Sequence, residues 1–125
     1  MDEVVHDLLG FYQREIREDA EAQKLLKRVG ADSVDVIEHF NLGYCSGRAL
    51  PLASVTARKR YRELGLVVRA REIFAGCIVF PVLDESGGLA DLFGFRYSAK
   101  SRRYFLWQEP PCGLIGIEAL QPGAE

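Results

Sequence analysis

The chain has 125 residues, 48% of them hydrophobic and 27% charged, which is the make-up of one ordinary globular domain with enough apolar content to close a core. No apolar run approaches the roughly 20 residues of a membrane-spanning helix, and the acidic start Met1-Asp2-Glu3 is unlike a secretory signal, so the expected setting is cytoplasmic with no membrane partner. The net charge of -2 conceals an asymmetry: ten acidic and five basic residues through Phe40 give -5, while eleven basic and eight acidic residues from Asn41 onward give +3. Cys45, Cys77 and Cys112 are odd in number and share no C-x-x-C spacing, which points to buried or half-buried thiols rather than a disulfide framework or a zinc knuckle.

In chain order, Val4, Val5, Leu8, Leu9, Tyr12 and Ile16 recur every three or four residues and predict an amphipathic helix from about Glu3 to Arg17. A second helix is expected from about Asp19 to Val29, stopped by Gly30, and a short third one capped by Ser33 and ending near Phe40. Asn41 to Leu50, with two glycines, reads as an extended segment or turn. Helix returns after Pro51, capped by Ser54 or Thr56 and terminated by Gly65. From Val67 the period changes. Cys77 to Leu83 is a β-rich run closed by the turn Asp84-Glu85-Ser86-Gly87-Gly88, and Pro81 within it requires an edge or a bulge. Leu89 to Tyr97 reads as its partner strand, Ser98 to Arg102 as a second turn and Arg103 to Gln108 as a third strand. Leu114 to Ile117 fits a short closing strand or turn, Glu118 to Leu120 the start of a helix, and residues 121–125 a flexible tail. The fold class expected is α+β: a helical bundle over about residues 1–40, followed by a basic linker helix and a small, mostly antiparallel sheet to about residue 120.

The chain carries no phosphate loop, no G-x-G-x-x-G and no G-x-S-x-G, so the commonest nucleotide and acyl-transfer sites have no support. His6 and His39 have no ligand partner at metal-binding spacing. Asp84, Glu85 and Asp91 form the one carboxylate group that a metal-dependent nucleotide enzyme could use, but they flank a hairpin turn, where Asp and Glu are ordinary turn residues. The basic stretch is richer. Arg48, Arg58, Lys59, Arg60, Arg62, Arg69 and Arg71 are opposed only by Glu63, and this reads either as a phosphate-binding surface or as solvated helix charge. Arg96, Lys100, Arg102 and Arg103 form a second cluster among Phe95, Tyr97, Tyr104 and Trp107, the mixture on which single strands stack.

Taken in order, several segments resemble the N-terminal subdomain of the polymerase core of bacterial replicative primases. Ala22 to Gly30 resembles A-x-x-Y-L-x-x-R-G, and Val36 to Tyr44 resembles I-x-x-F-x-L-G-Y, the most specific stretch. Phe74 to Asp84 resembles F-R-x-R-I-x-F-P-I-x-D, Phe93-Gly94-Phe95-Arg96 resembles G-F-G-G-R, and Arg103-Tyr104-Phe105-Leu106 resembles K-Y-L. Gly113 to Leu120 resembles the L-Y-G-L-x-x-A that leads into the toprim module, and the F-x-G-x-x-x-x-P-V-x-D form is similar to primase-like proteins of phages, plasmids and integrated elements. The resemblance implies a domain that guides single-stranded DNA template or RNA–DNA hybrid, with Arg96 and Arg103 on basic family positions. Arg58, Lys59, Arg60 and Arg62 are added by charge density alone. It also implies that catalysis, with Mg or Mn, belongs to a following toprim module, that a zinc domain precedes, and that a replicative helicase is a partner of the whole protein. No cofactor and no catalytic residue is expected within this chain. Where the family has two arginines on the strand lining the template groove, this chain has Ala75 and Cys77, which favours a second reading: a primase-like adaptor that contacts proteins without binding nucleic acid.

Overall fold

The computed structural model describes residues 2–97 and 102–108, and its elements follow from local chemistry. Helix α1 (Glu3–Glu18) starts where Asp2 accepts the Val4 N–H at 2.9 Å, and it buries Val5, Leu8, Leu9, Tyr12 and Ile16. Asp19 ends α1 and starts α2 (Ala20–Val29): its backbone N–H bonds Glu15 O while its carboxylate accepts the Glu21 and Ala22 N–H groups at 2.9 and 3.1 Å. Gly30, at φ 73°, closes α2 in the left-handed conformation that costs glycine nothing. Ser33 caps α3 (Val34–His39) and Ser54 caps α5 (Val55–Glu63). The short turn of helix α4 (Ala49–Leu52) lies where an extended segment was expected, and it contains Pro51.

Four strands form an antiparallel sheet in the order β1 (Gly43–Tyr44), β4 (Ile78–Leu83), β5 (Leu89–Tyr97), β6 (Arg102–Leu106). The expected α+β architecture is therefore present, with β4, β5 and β6 where strands were predicted and β1 added from the segment before α4. Pro81 sits in a central strand, but β1 pairs only with Ile78 and Val79, so the neighbour on that side has ended before the proline, and a bulge follows at Val82/Leu83. The turn expected at Ser98 to Arg102 lies outside the described residues except for Arg102, which is already in β6. The closing strand, the final helix and the tail lie wholly outside them.

A separate hairpin, β2 (Val67–Val68) and β3 (Arg71–Glu72), was not foreseen. Its loop residues Arg69 and Ala70 both have positive φ, 54° and 62°, the pattern of a tight hairpin turn that normally selects Asn-Gly.

Two close approaches fix the layers. Gly43 lies against α1 so tightly that a Cβ there would be 2.7 Å from the Tyr12 Cβ. Gly94 leaves space for the Phe74 ring, which stacks on Phe105 at 5.0 Å and 10°; Phe105 is the cross-strand partner of Gly94. The main core therefore joins α1 to the sheet through Tyr12, Phe74, Val79, Leu92 and Phe105, and a second cluster joins α2 and α3 to Tyr44 and Ile78. Under the first core, the buried Glu72 carboxylate accepts from Tyr12 OH at 3.1 Å, Cys45 Sγ at 3.5 Å and the Leu50 N–H at 3.3 Å. Burial, with the Glu72 charge adding to it, pushes the Tyr12 hydroxyl and the Cys45 thiol well above their ordinary values.

Candidate nucleic-acid interface

The site is organised by the bulge that joins β3 to β4. Phe74 O accepts the Cys77 N–H at 2.8 Å across a tight turn whose third residue, Gly76, has φ 81°; Gly76 N–H then bonds Cys45 O at 2.7 Å, and Cys45 N–H bonds Cys77 O at 3.0 Å. Two residues, Gly76 and Cys77, thus oppose one, Cys45. This is a bulge whose first residue must be left-handed, hence glycine. The same glycine supports the site, because the guanidinium of Arg96 lies over it: a Cβ at Gly76 would be 2.5 Å from Arg96 Nη1 and 3.3 Å from Cζ.

Arg96 is exposed near the end of β5, and its cross-strand partner in the register is Arg103 on β6. Facing Arg96, α2 presents Lys24 and Arg28. Together with Glu21, Leu25, Tyr44 and Gly76 these enclose a pocket of about 80 Å³. That space is on the scale of one phosphate group and opens to solvent. Lys24 is 3.5 Å from Glu21, so one carboxylate balances part of the positive charge. Burial raises the Tyr44 hydroxyl above its ordinary value, Asp19 adds to the rise and Arg96 opposes it, as a cation facing the ring would. Three cations, a phenol and one carboxylate thus line a phosphate-sized opening.

The structure separates the cations of the basic stretch. Arg58 donates from Nε to Leu50 O and from Nη2 to Pro51 O, both at 3.0 Å, and so closes the end of α4. Arg60 donates to Asp2 from Nε at 2.8 Å and Nη2 at 2.6 Å and also meets Glu63 at 3.7 Å. The backbone N–H of Val4 first, and Arg60 second, hold the Asp2 carboxyl below the usual carboxylate range. Arg48 joins Glu15 and Asp19, each at 3.0 Å. Lys59 and Arg62 stay exposed, with no ion pair among the described residues. None of the four α5 cations lines the pocket.

Lys24 and Arg28 were missed because they lie in the acidic third of the chain. A signal was present: the resembled A-x-x-Y-L-x-x-R-G segment has an arginine before its glycine, a place filled here by Val29, with Arg28 one position earlier. The turn carboxylates are engaged in hydrogen bonds. Asp84 accepts from Ser86 N, Ser86 Oγ and Gly88 N at 2.7 to 2.9 Å, and Asp91 accepts from the Leu92 and Gln108 N–H groups. Among the described residues no three His, Cys, Asp or Glu side chains are grouped to hold a metal ion.

No family model matches the chain, and no curated protein matches it by sequence. Solved structures do. A DnaG primase catalytic domain with single-stranded DNA bound superposes with a TM-score of 0.68 at 21% identity, over 83% of this chain and 37% of that one. A DNA primase domain from Pseudomonas aeruginosa gives 0.68 at 16% identity over 87% and 38%, and the E. coli primase catalytic core gives 0.66 at 20% over 83% and 37%. The fold is thus that of one part of a primase catalytic core, and the chain spans little more than a third of the length of those structures.

Proposed function

We propose that this primase-like fold serves as the template-guiding part of a bacterial-type DNA primase of the mobile-element kind, with Arg96, Lys24 and Arg28 holding a backbone phosphate of single-stranded DNA or of an RNA–DNA hybrid. The observation that carries the reading is the phosphate-sized pocket, in which cations from α2 and β5 meet over the Gly76 backbone. Arg103 is the register partner of Arg96 on the edge strand β6. Such contacts fix the path of a strand without reading its sequence. A structural neighbour that carries single-stranded DNA supports the ligand class. In this reading primer synthesis, its Mg or Mn ions and the zinc site belong to neighbouring toprim and zinc modules, and helicase contact to the whole protein. This chain positions the strand.

Titration of a labelled single-stranded oligonucleotide at several salt concentrations tests the proposal. The three cations hold one phosphate, and each phosphate contact contributes about 0.7 to the logarithmic salt slope, so the Lys24→Ala/Arg28→Ala/Arg96→Ala variant should lose about 0.7 from it. Arg14→Ala/Arg17→Ala should change it little. A triple variant that binds like the parent, or a parent that does not bind at low salt, refutes it.

The adaptor reading rests on a specific observation: Cys77, where the resembled pattern has an arginine, is completely buried. A chain that fails to bind oligonucleotide would favour it.

A further inference from the structure

Two surfaces lie outside the phosphate pocket. The first is a knob. Leu52 at the end of α4 and Val55 at the start of α5 are the most exposed large hydrophobic residues described, at 71% and 79%. Lys59 and Arg62 follow Val55 by four and seven residues, on the same helix face, and neither has an ion-pair partner among the described residues. The second is a groove of about 260 Å³ between the end of α1, α2 and α3, lined by Arg17, Gln23, Asp32, Val34 and Ile37. Val34 is 63% exposed at its mouth; Arg17 is turned to Glu38 at 3.8 Å, which leaves Asp32 in the lining and Asp35, next to Val34 in the chain, as the unbalanced carboxylates of the rim. A cavity of about 150 Å³ already accommodates benzene, so this groove has room for a leucine side chain.

We propose that the knob of one chain enters the groove of a second copy, with Lys59 and Arg62 meeting the acidic rim. A nucleic-acid backbone would use the two cations but leave Leu52 and Val55 in water, whereas a second copy satisfies both and carries the opposite charge of the acidic third. The two surfaces differ and lie on one chain, so the contact is made either twice, reciprocally about a two-fold axis, or head to tail. An interface below about 1,000 Å² makes the association weak and transient.

Sedimentation of the 125-residue chain from about 10 µM to about 1 mM is the test, since weak contacts of this size populate only at high concentration. The mean mass should rise with concentration and fall as salt is raised. Leu52→Ser/Val55→Glu removes the knob, and Val34→Lys blocks the groove, with Asp35→Lys as an alternative groove variant. Each should be monomeric alone, with an unchanged circular dichroism spectrum because the sites are exposed. Mixed in equal amounts, a knob variant and a groove variant should form a 1:1 complex and nothing larger, because one intact knob then meets one intact groove. A parent monomeric at the highest concentration in low salt, a knob variant that still associates like the parent, or a mixture that stays monomeric overturns the proposal.

Discussion

Replacing Gly76 by alanine strikes the bulge and the anion pocket together, and the structure separates the two effects. At φ 81° a non-glycine residue costs about 1 to 2 kcal/mol, partly offset by the lower chain entropy of unfolded alanine, about 0.4 to 1 kcal/mol. A net loss of about 1 kcal/mol follows, visible as a lower urea midpoint at unchanged slope. The new methyl group would also stand 2.5 Å from Arg96 Nη1, well inside contact distance, so the guanidinium must leave its position over the pocket. Loss of one phosphate contact lowers the salt slope by about 0.7, so the roughly 2.6-fold weakening that this contact undergoes between about 50 and 200 mM salt disappears. Gly87→Ala supplies the control. It has nearly the same backbone angle, φ 86°, but nothing within 4 Å of its Cβ, so it should lose similar stability and leave binding untouched. Urea unfolding and oligonucleotide anisotropy on the two variants give both numbers. Equal binding by Gly76→Ala and Gly87→Ala would show that the position of Arg96 does not matter to binding.

At the β2–β3 hairpin, Arg69→Asn/Ala70→Gly relieves two left-handed residues and should raise stability by about 1 to 2 kcal/mol, read from the urea midpoint. Glu72→Ala removes the acceptor of Tyr12 OH and Leu50 N–H inside the core and should cost about 3 kcal/mol or more by the same measurement, whereas Glu72→Gln, which keeps an acceptor oxygen, should cost less. The Asp84 carboxyl is held below its ordinary value, first by the Ser86 hydroxyl and then by the Gly88 N–H. A depressed folded-state value stabilises above the unfolded carboxylate value and is lost as pH falls through the folded one. Asp84→Ala should therefore melt below the parent at neutral pH, and the gap should close as pH falls below about 4, measured as thermal midpoint against pH.

The limits of the helices and of the central hairpin were legible because the forces that set them are local. Gly30, Ser33 and Ser54 act on amides within four residues, and the run Ile78–Leu83, the glycine turn and Leu89–Tyr97 declare themselves through side-chain preference and turn chemistry. The partner of the extended segment at Gly43 and Tyr44 was not legible, because these residues become strand β1 only by pairing with Val79 and Ile78. Nor was the β2–β3 hairpin, whose Arg69-Ala70 loop lacks the glycine or asparagine that would mark it; it is held by tertiary contacts such as those of Glu72. Sequence by itself thus determined the α+β class and the order of the main helices and of the central hairpin, and it singled out Arg96 as a candidate. Only the tertiary structure decided which charges are available. It occupied Arg60 with Asp2, 58 residues away, and Arg48 with Glu15 and Asp19, and it brought Lys24 and Arg28 of the acidic third to Arg96. The physical reason is that charge density along a chain says nothing about pairing across it, which depends on how α1, α2 and α5 pack around the sheet.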